Sequence, residues 1–265
     1  MSATAPGVVS KGPGAVASTP AISVDEVTKV YGHTGESVSA LDGISVDVAE
    51  GEFVCLVGAS GCGKSTLLNL IAGLDRPTGG AISRPAGDAA LMFQEAALFP
   101  WLTVYRNVEL ALRLAGVPRG ERRTRVADLL DSVHLGDFAG KRPHELSGGM
   151  RQRVALARAL AQDRKILLMD EPFGALDAIT RGLLHDELER VWQETGISVV
   201  FVTHNVREAA RLGDRVLVLT SRPGRVAQEF RIDLDRPRRL DSPELSALAS
   251  SITEHLRGSI SNHAG

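Results

Sequence analysis

Cysteine is scarce in this chain: Cys55 and Cys62 are the two present in 265 residues. Both fall in one apolar, glycine-rich stretch. That pattern fits neither the disulfide framework of a small secreted domain nor the paired ligands of a structural zinc site. No apolar run reaches the roughly 18 residues that a membrane-crossing helix needs. The start, MSATAPGVVSKGPGAVASTP, lacks the basic beginning and long apolar centre of a secretory signal, and its Ala, Ser, Gly and Pro content reads as a flexible tail over residues 1–20. Surplus positive charge is also missing. Lys and Arg number 30 against 32 Asp and Glu, a net charge of −2, which argues against general nucleic-acid binding. Lysine itself is rare, 5 against 25 arginines, and no internal repeat or coiled-coil segment is seen. These absences leave a soluble, cytoplasmic globular protein as the expectation.

What is present suits one large α/β domain. The length allows roughly 70–75% of the unfolded surface to be buried without a disulfide or metal staple. Structure is expected from Ala21. ISVDEVTKVY and residues 38–53 are rich in β-branched residues, and Ile44, Val46 and Val48 alternate as a half-buried strand requires. FVCLV at 53–57, AALMF at 89–93, KILLMD, VVFVTH and RVLVLT read as short buried strands of a parallel sheet. Helices are expected after the first of these (STLLNLIAG), over 104–117, 121–136 and from Gly148, then over 178–195, from Val206 and over 242–257. In the helix at 121–136, Val126, Leu129, Leu130 and Val133 form one apolar stripe. The spacing predicts an α/β core of residues 21–94 and 164–240, a helical subdomain at 95–163, and a C-terminal helix and tail at 241–265.

The sharpest local pattern is GASGCGKST, residues 58–66, between a strand and a helix. Glycines at 58, 61 and 63 let backbone N–H groups turn toward phosphate oxygens, with Ala59, Ser60, Cys62 and Thr66 completing the loop. The helix that follows adds its positive end. Lys64 supplies a mobile charge for the β- and γ-phosphates, and the Ser65 hydroxyl is a ligand for Mg²⁺. ILLMDEP at 166–172 then places two carboxylates at the end of a buried strand, where open α/β sheets bind ligands. Asp170 addresses Mg²⁺, directly or through water. Glu171 points elsewhere and reads as the general base for an attacking water. FVTHN at 201–205 ends another strand, and His204 is placed to bond the γ-phosphate or to hold Glu171 and the water in line.

LSGGMRQR, residues 146–153, together with these motifs and their order, resembles the signature of an ABC-transporter ATPase subunit. The resemblance spans residues 21–235 and implies the P-loop ABC ATPase fold, with a mixed sheet and an inserted helical subdomain. Ser147 can cap a new helix, while Gly148 and Gly149 leave its first N–H groups open to an anion. In the family two subunits meet head to tail, so Leu146, Ser147, Gly148, Gly149 and Met150 would act on the nucleotide of the partner. Further roles implied by the resemblance are Tyr31 stacking on adenine, Gln94 contacting Mg²⁺ and the attacking water, and Asp177 connecting the two sites of the dimer. The resemblance thus implies ATP and Mg²⁺ as cofactors. As partners it implies a second ATPase subunit, two transmembrane permease subunits and an extracytoplasmic substrate-binding protein. The chain would sit on the cytoplasmic face of the membrane.

EAALFPWLTVYRNV at 95–108 carries an apolar cluster that in the family lines the groove for a short permease helix. This segment, LLMDEPFGALDAITR and FVTHNVREAARLGDRVLVLTSRPGRV resemble the nitrate, sulfonate and taurine importer branch. One departure is Asn205, where most relatives have Asp; Asn still caps a helix. About thirty residues follow Leu234, too few for the C-terminal barrel of typical sugar importers. Two other functions remain open at this point: an exporter ATPase, and an ATP-dependent assembly or regulatory module without transport.

Overall fold

The computed structural model describes residues 20–32, 37–85 and 89–261. The tail expected over 1–20 lies, Pro20 apart, outside the described residues. The chain opens with β1 (Ile22–Tyr31), β2 (Val38–Val48) and β3 (Phe53–Val57), then α1 (Lys64–Ala72), β4 (Gly79–Ser83) and β5 (Ala89–Met92). Three helices follow: α2 (Val104–Leu114), α3 (Arg119–Ser132) and α4 (Gly148–Leu160). Strand and helix then alternate through β6 (Ile166–Asp170), α5 (Ala178–Thr195), β7 (Ser198–Thr203), α6 (Val206–Leu212) and β8 (Arg215–Leu219), before β9 (Val226–Arg231) and α7 (Pro243–Ser261).

Two sheets result. β2, β1 and β4 form a three-stranded antiparallel sheet. The larger sheet has the order β5-β6-β7-β3-β8-β9, parallel from β5 to β8 and closed on one side by antiparallel β9. Burial explains the continuous apolar runs. In β3, Phe53, Cys55 and Val57 face the core shared with the helices, while Val54 and Leu56 face α1 and the small sheet. Both faces are covered, so no position of the strand is left for a polar residue. Each fully buried Val, Leu or Phe of this kind contributes about 1.5–3 kcal/mol.

The structure departs from sequence expectation in several places; α2, for one, stops at Leu114 rather than at 117. α3 ends at Ser132 rather than Gly136, because His134 takes a left-handed φ of 54°, and a short 3₁₀ turn covers Gly136–Phe138. Val133 still completes the apolar stripe from just past the helix end, fully buried. β4, GGAIS, was not expected as a strand; two leading glycines and an exposed pattern hide it. It forms because β1 offers it an edge, Val24 pairing with Ile82. α7 runs on to Ser261, past the expected end at 257.

Candidate active site

The carboxyl ends of β5, β6, β7, β3 and β8 stand side by side. A cleft of about 590 Å³ opens there. Its wall brings together Tyr31, Ser60, Gly61, Gly63, Lys64, Ser65, Thr66, Gln94, Asp170 and Glu171, ten of the residues singled out from the sequence.

The loop from β3 to α1 is shaped by contact. Gly63 has φ 102°, and a Cβ there would lie 2.6 Å from Leu41 Cδ2 and 2.8 Å from the Ala40 carbonyl oxygen. Any side chain would push the loop off β2, so glycine is required both for its dihedral and for the space. Gly63 also precedes α1 without a side-chain cap, which leaves the first N–H groups of the helix for an anion. Gly58, Ala59 and Cys62 do not line the cleft. Instead the Lys64 ammonium donates to the Gly58 and Ala59 carbonyl oxygens, at 2.9 and 3.0 Å. These bonds hold a 95%-buried charge at the mouth of the loop, where an unpaired ammonium would cost several kcal/mol.

Asp170 ends β6 and lines the cleft together with Ser65. Burial pushes the Asp170 carboxyl above the ordinary carboxylate range; the nearby Ser65 hydroxyl opposes the shift, the neighbouring Glu171 charge adds to it, and Lys64 opposes it. A carboxylate and a hydroxyl on one wall beside a glycine-rich loop could hold Mg²⁺, which takes few protein oxygens and completes its shell with phosphate and water. The described residues contain no cluster of three or more His, Cys, Asp or Glu able to hold a metal ion.

Glu171 N–H donates to the Val202 carbonyl at 2.9 Å, the last rung on β7, and the chain then turns with φ 44°. A left-handed non-glycine residue costs about 1–3 kcal/mol, held here by that rung and by the side chain. Its Oε2 lies 2.9 Å from His204 Nδ1, and its Oε1 lies 4.0 Å from Lys64 Nζ. His204 follows β7 directly. It does not line the cleft, but it reaches the site through Glu171. Asn205 caps α6, its Oδ1 accepting from the Arg207 and Glu208 amides at 3.0 and 3.3 Å, as the departure from Asp allowed.

Gln94 follows β5 and faces the cleft, and its own backbone is held from behind by α4. Gln152 Nε2 donates to the Gln94 carbonyl at 2.8 Å, and the Arg158 guanidinium donates to the Ala96 and Ala97 carbonyls at 2.9 and 2.7 Å. Sequence reading passed over both Gln152 and Arg158. Gln152 lies between two arginines, yet it is buried.

Tyr31 lines the cleft with a half-exposed ring. Its hydroxyl donates to Asp75 at 3.2 Å, and the Lys29 ammonium sits 4.8 Å from the ring centroid. Residues 146–150 and Asp177 are not part of the wall. Ser147 Oγ caps α4 by accepting from the Met150 amide at 3.2 Å, and Ser147 is exposed while Leu146 and Gly149 are buried. Asp177 caps α5 by accepting from the Thr180 amide at 2.9 Å, and the Thr180 side chain, followed by this amide, holds its carboxyl below the ordinary range. Thr180 packs so closely on Gly149 that any Cβ there would overlap it. The signature turn and the start of α5 thus form one surface, apart from the cleft of the same chain. Val38, Ala40 and Arg222 also line the cleft without having been singled out as site residues.

Comparison with known proteins identifies the family and the fold. The family model described as ABC transporter matches residues 41–174. A taurine import ATP-binding protein of Rhizobium johnstonii is 51% identical over 76% of this chain and 80% of its own. A nitrate import ATP-binding protein of Synechocystis sp. is 48% identical over 80% of this chain and 83% of its own. A dimeric ATP-binding cassette in a post-hydrolysis state, bound to ADP and Pi, superposes with a TM-score of 0.72 at 36% identity, covering 81% of this chain and all of that one. The matched segment runs through the phosphate loop, the signature and the acidic strand end, and by these findings the chain belongs to the ABC-transporter ATP-binding family, whose P-loop fold hydrolyses ATP.

Proposed function

We propose that this chain powers an importer of a small solute of the nitrate, sulfonate or taurine class, as one of two identical ATPase subunits docked on two permease subunits. The observation that carries the catalytic part is the meeting of Lys64, Asp170, Glu171 and His204 around one cleft, from residues far apart in the chain. In this reading Tyr31 stacks on the adenine, the loop amides and Lys64 hold the phosphates, and Ser65, Gln94 and Asp170 hold Mg²⁺. The metal supplies charge neutralisation on the phosphate oxygens. Glu171 takes the proton of the attacking water, and His204 keeps that carboxylate aimed. Residues 146–150 close on the nucleotide of the second subunit, which accounts for an anion-ready helix start lying off the cleft of its own chain, and Asp177 links the two sites.

The importer part is supported by the named relatives and by the segment after Gln94. Asn107, fully buried, accepts from the Phe99 amide at 2.9 Å and donates to the Thr103 carbonyl at 3.0 Å. It thereby holds a rigid loop that presents Trp101, 68% exposed, beside Phe99. No helix among the described residues is long and apolar enough to cross a membrane, so attachment there would run through such a surface. We further propose that residues 95–163 move as a helical unit against the core at 21–94 and 164–240, with Gln94 at the joint. The test is a pull-down of tagged Glu171→Gln protein from its own cells in mild detergent with ATP and Mg²⁺, read by mass spectrometry. Recovery of a multi-span permease with a cognate solute-binding protein is the expected result. A permease without such a protein would indicate export. Soluble partners alone, with other membrane complexes detected in the same extract, would indicate a non-transport module.

A further inference from the structure

Five parallel strands end at the cleft, and four deliver residues already given a part: Gln94 after β5, Asp170 and Glu171 at β6, His204 after β7 and the phosphate loop after β3. The fifth, β8, leads into the turn at 220–225 and places Arg222 on the cleft wall. We propose that Arg222 is a second cationic contact for the phosphate chain of ATP, acting beside Lys64; this rests on the nucleotide reading of the cleft.

The turn is fastened to β2, whose Ala40 and Leu41 lie against Gly63 of the phosphate loop. The Gly224 amide donates to the Ala40 carbonyl at 2.9 Å, and the Gly224 carbonyl accepts from the Asp42 amide at 3.0 Å. Arg225 pairs with Asp42, and Thr220 Oγ1 closes the turn by donating to the Pro223 carbonyl and accepting from the Arg225 amide, both at 2.9 Å. Gly224 lies so close to the loop that a Cβ there would overlap the Cys62 carbonyl oxygen. The backbone under Arg222 therefore has a set position relative to the amides that face an anion.

Charge points the same way. Among the described residues lining the cleft, Lys64 and Arg222 are the two Lys or Arg side chains, set against Asp170 and Glu171. Lys64 already divides its charge between loop carbonyls and Glu171. Arg222 makes no ion pair with a described residue; its Nε donates to the Gly61 carbonyl over a long 3.4 Å. The two terminal nitrogens of the guanidinium fork stay available, in the planar geometry that matches phosphate oxygens.

Isothermal titration of Mg²⁺·AMP-PNP into the wild type, Arg222→Gln and Arg222→Lys tests this, alongside thermal unfolding of the same proteins without nucleotide. The expected result is an affinity loss of about tenfold in Arg222→Gln, the size of one charge-assisted bond, with part of it recovered in Arg222→Lys and nucleotide-free melting unchanged. Affinity within twofold of wild type in Arg222→Gln overturns the proposal. So does an affinity loss accompanied by a lower nucleotide-free melting temperature, which assigns Arg222 to propping the loop. Lys64→Ala separates the two readings. If it keeps wild-type affinity, the cleft is not the nucleotide site; if it loses binding while Arg222→Gln does not, the Arg222 assignment alone fails.

Discussion

His204 Nδ1 stands 2.9 Å from one oxygen of Glu171, and Lys64 Nζ stands 4.0 Å from the other. An ionised carboxylate only accepts hydrogen bonds, so against it the imidazole must present Nδ1–H. The carboxylate is thus gripped from two sides, on a residue whose backbone is already in the left-handed region.

Glu171→Gln keeps the shape and most of this grip but cannot take a proton. Steady-state phosphate release is expected to fall by at least about 100-fold, the lower end of what a general base contributes. ATP binding is retained, and size-exclusion chromatography with ATP should show an accumulated dimer. Turnover near that of the wild type would remove Glu171 from the role of base.

Asp170→Asn is expected to trade function for stability. Burial raises the Asp170 pKa in the folded protein, so the folded state holds this proton to higher pH than the unfolded chain does. Stability therefore falls as pH rises from the ordinary carboxylate pKa through the raised one, and above it the penalty is present in full. Asn removes the penalty. Nucleotide-free Asp170→Asn should melt higher than wild type at neutral pH, and its melting temperature should decline less on leaving acid pH, while Mg²⁺ no longer strengthens ATP binding. A neutral-pH melting temperature below that of the wild type would contradict this.

Gly224→Ala sets a methyl group against the Cys62 carbonyl, a backbone atom that cannot swing aside. A loss of about 1–3 kcal/mol of stability is expected, as for other overpacked sites, together with weaker nucleotide binding because the displaced partner is the phosphate loop. Urea unfolding and nucleotide titration measure the two effects, and wild-type values in both would show that the turn is not pressed on the loop.

Trp101→Ala leaves the cleft untouched, since Trp101 is 68% exposed and its loop is held by Asn107. The ATPase activity of the isolated subunit should change by less than twofold, while permease co-purified with it drops by about tenfold or more, as for a central aromatic of an interface. Undiminished permease recovery would move the docking surface elsewhere.

Much of the site was legible because phosphate chemistry writes itself locally. GASGCGKST needs its glycines and lysine within a few residues, and the apolar runs before Gly58, Asp170 and His204 announce buried strands whatever the rest of the fold does. β4 was not legible: GGAIS is unremarkable until the edge of β1 receives it. Nothing local marks Gln152 and Arg158, because the carbonyls they hold belong to a loop some sixty positions earlier, with separations of 58 and 61 residues.

The sequence by itself thus determined the chemistry available to this protein: a phosphate-binding turn, two carboxylates at a strand end, a histidine after another, and a signature turn with an open helix start. Those features are short-range, since one loop or one strand end fulfils each. Tertiary structure alone decided which of them meet. The strand order β5-β6-β7-β3-β8 sets Glu171 beside His204, 33 residues later, and hangs Arg222 over Gly61, 161 residues earlier. It also turns the signature away from the cleft of its own chain. Hydrogen bonds and charges act over a few ångströms, and only the packing of the sheet determines which distant residues come that close.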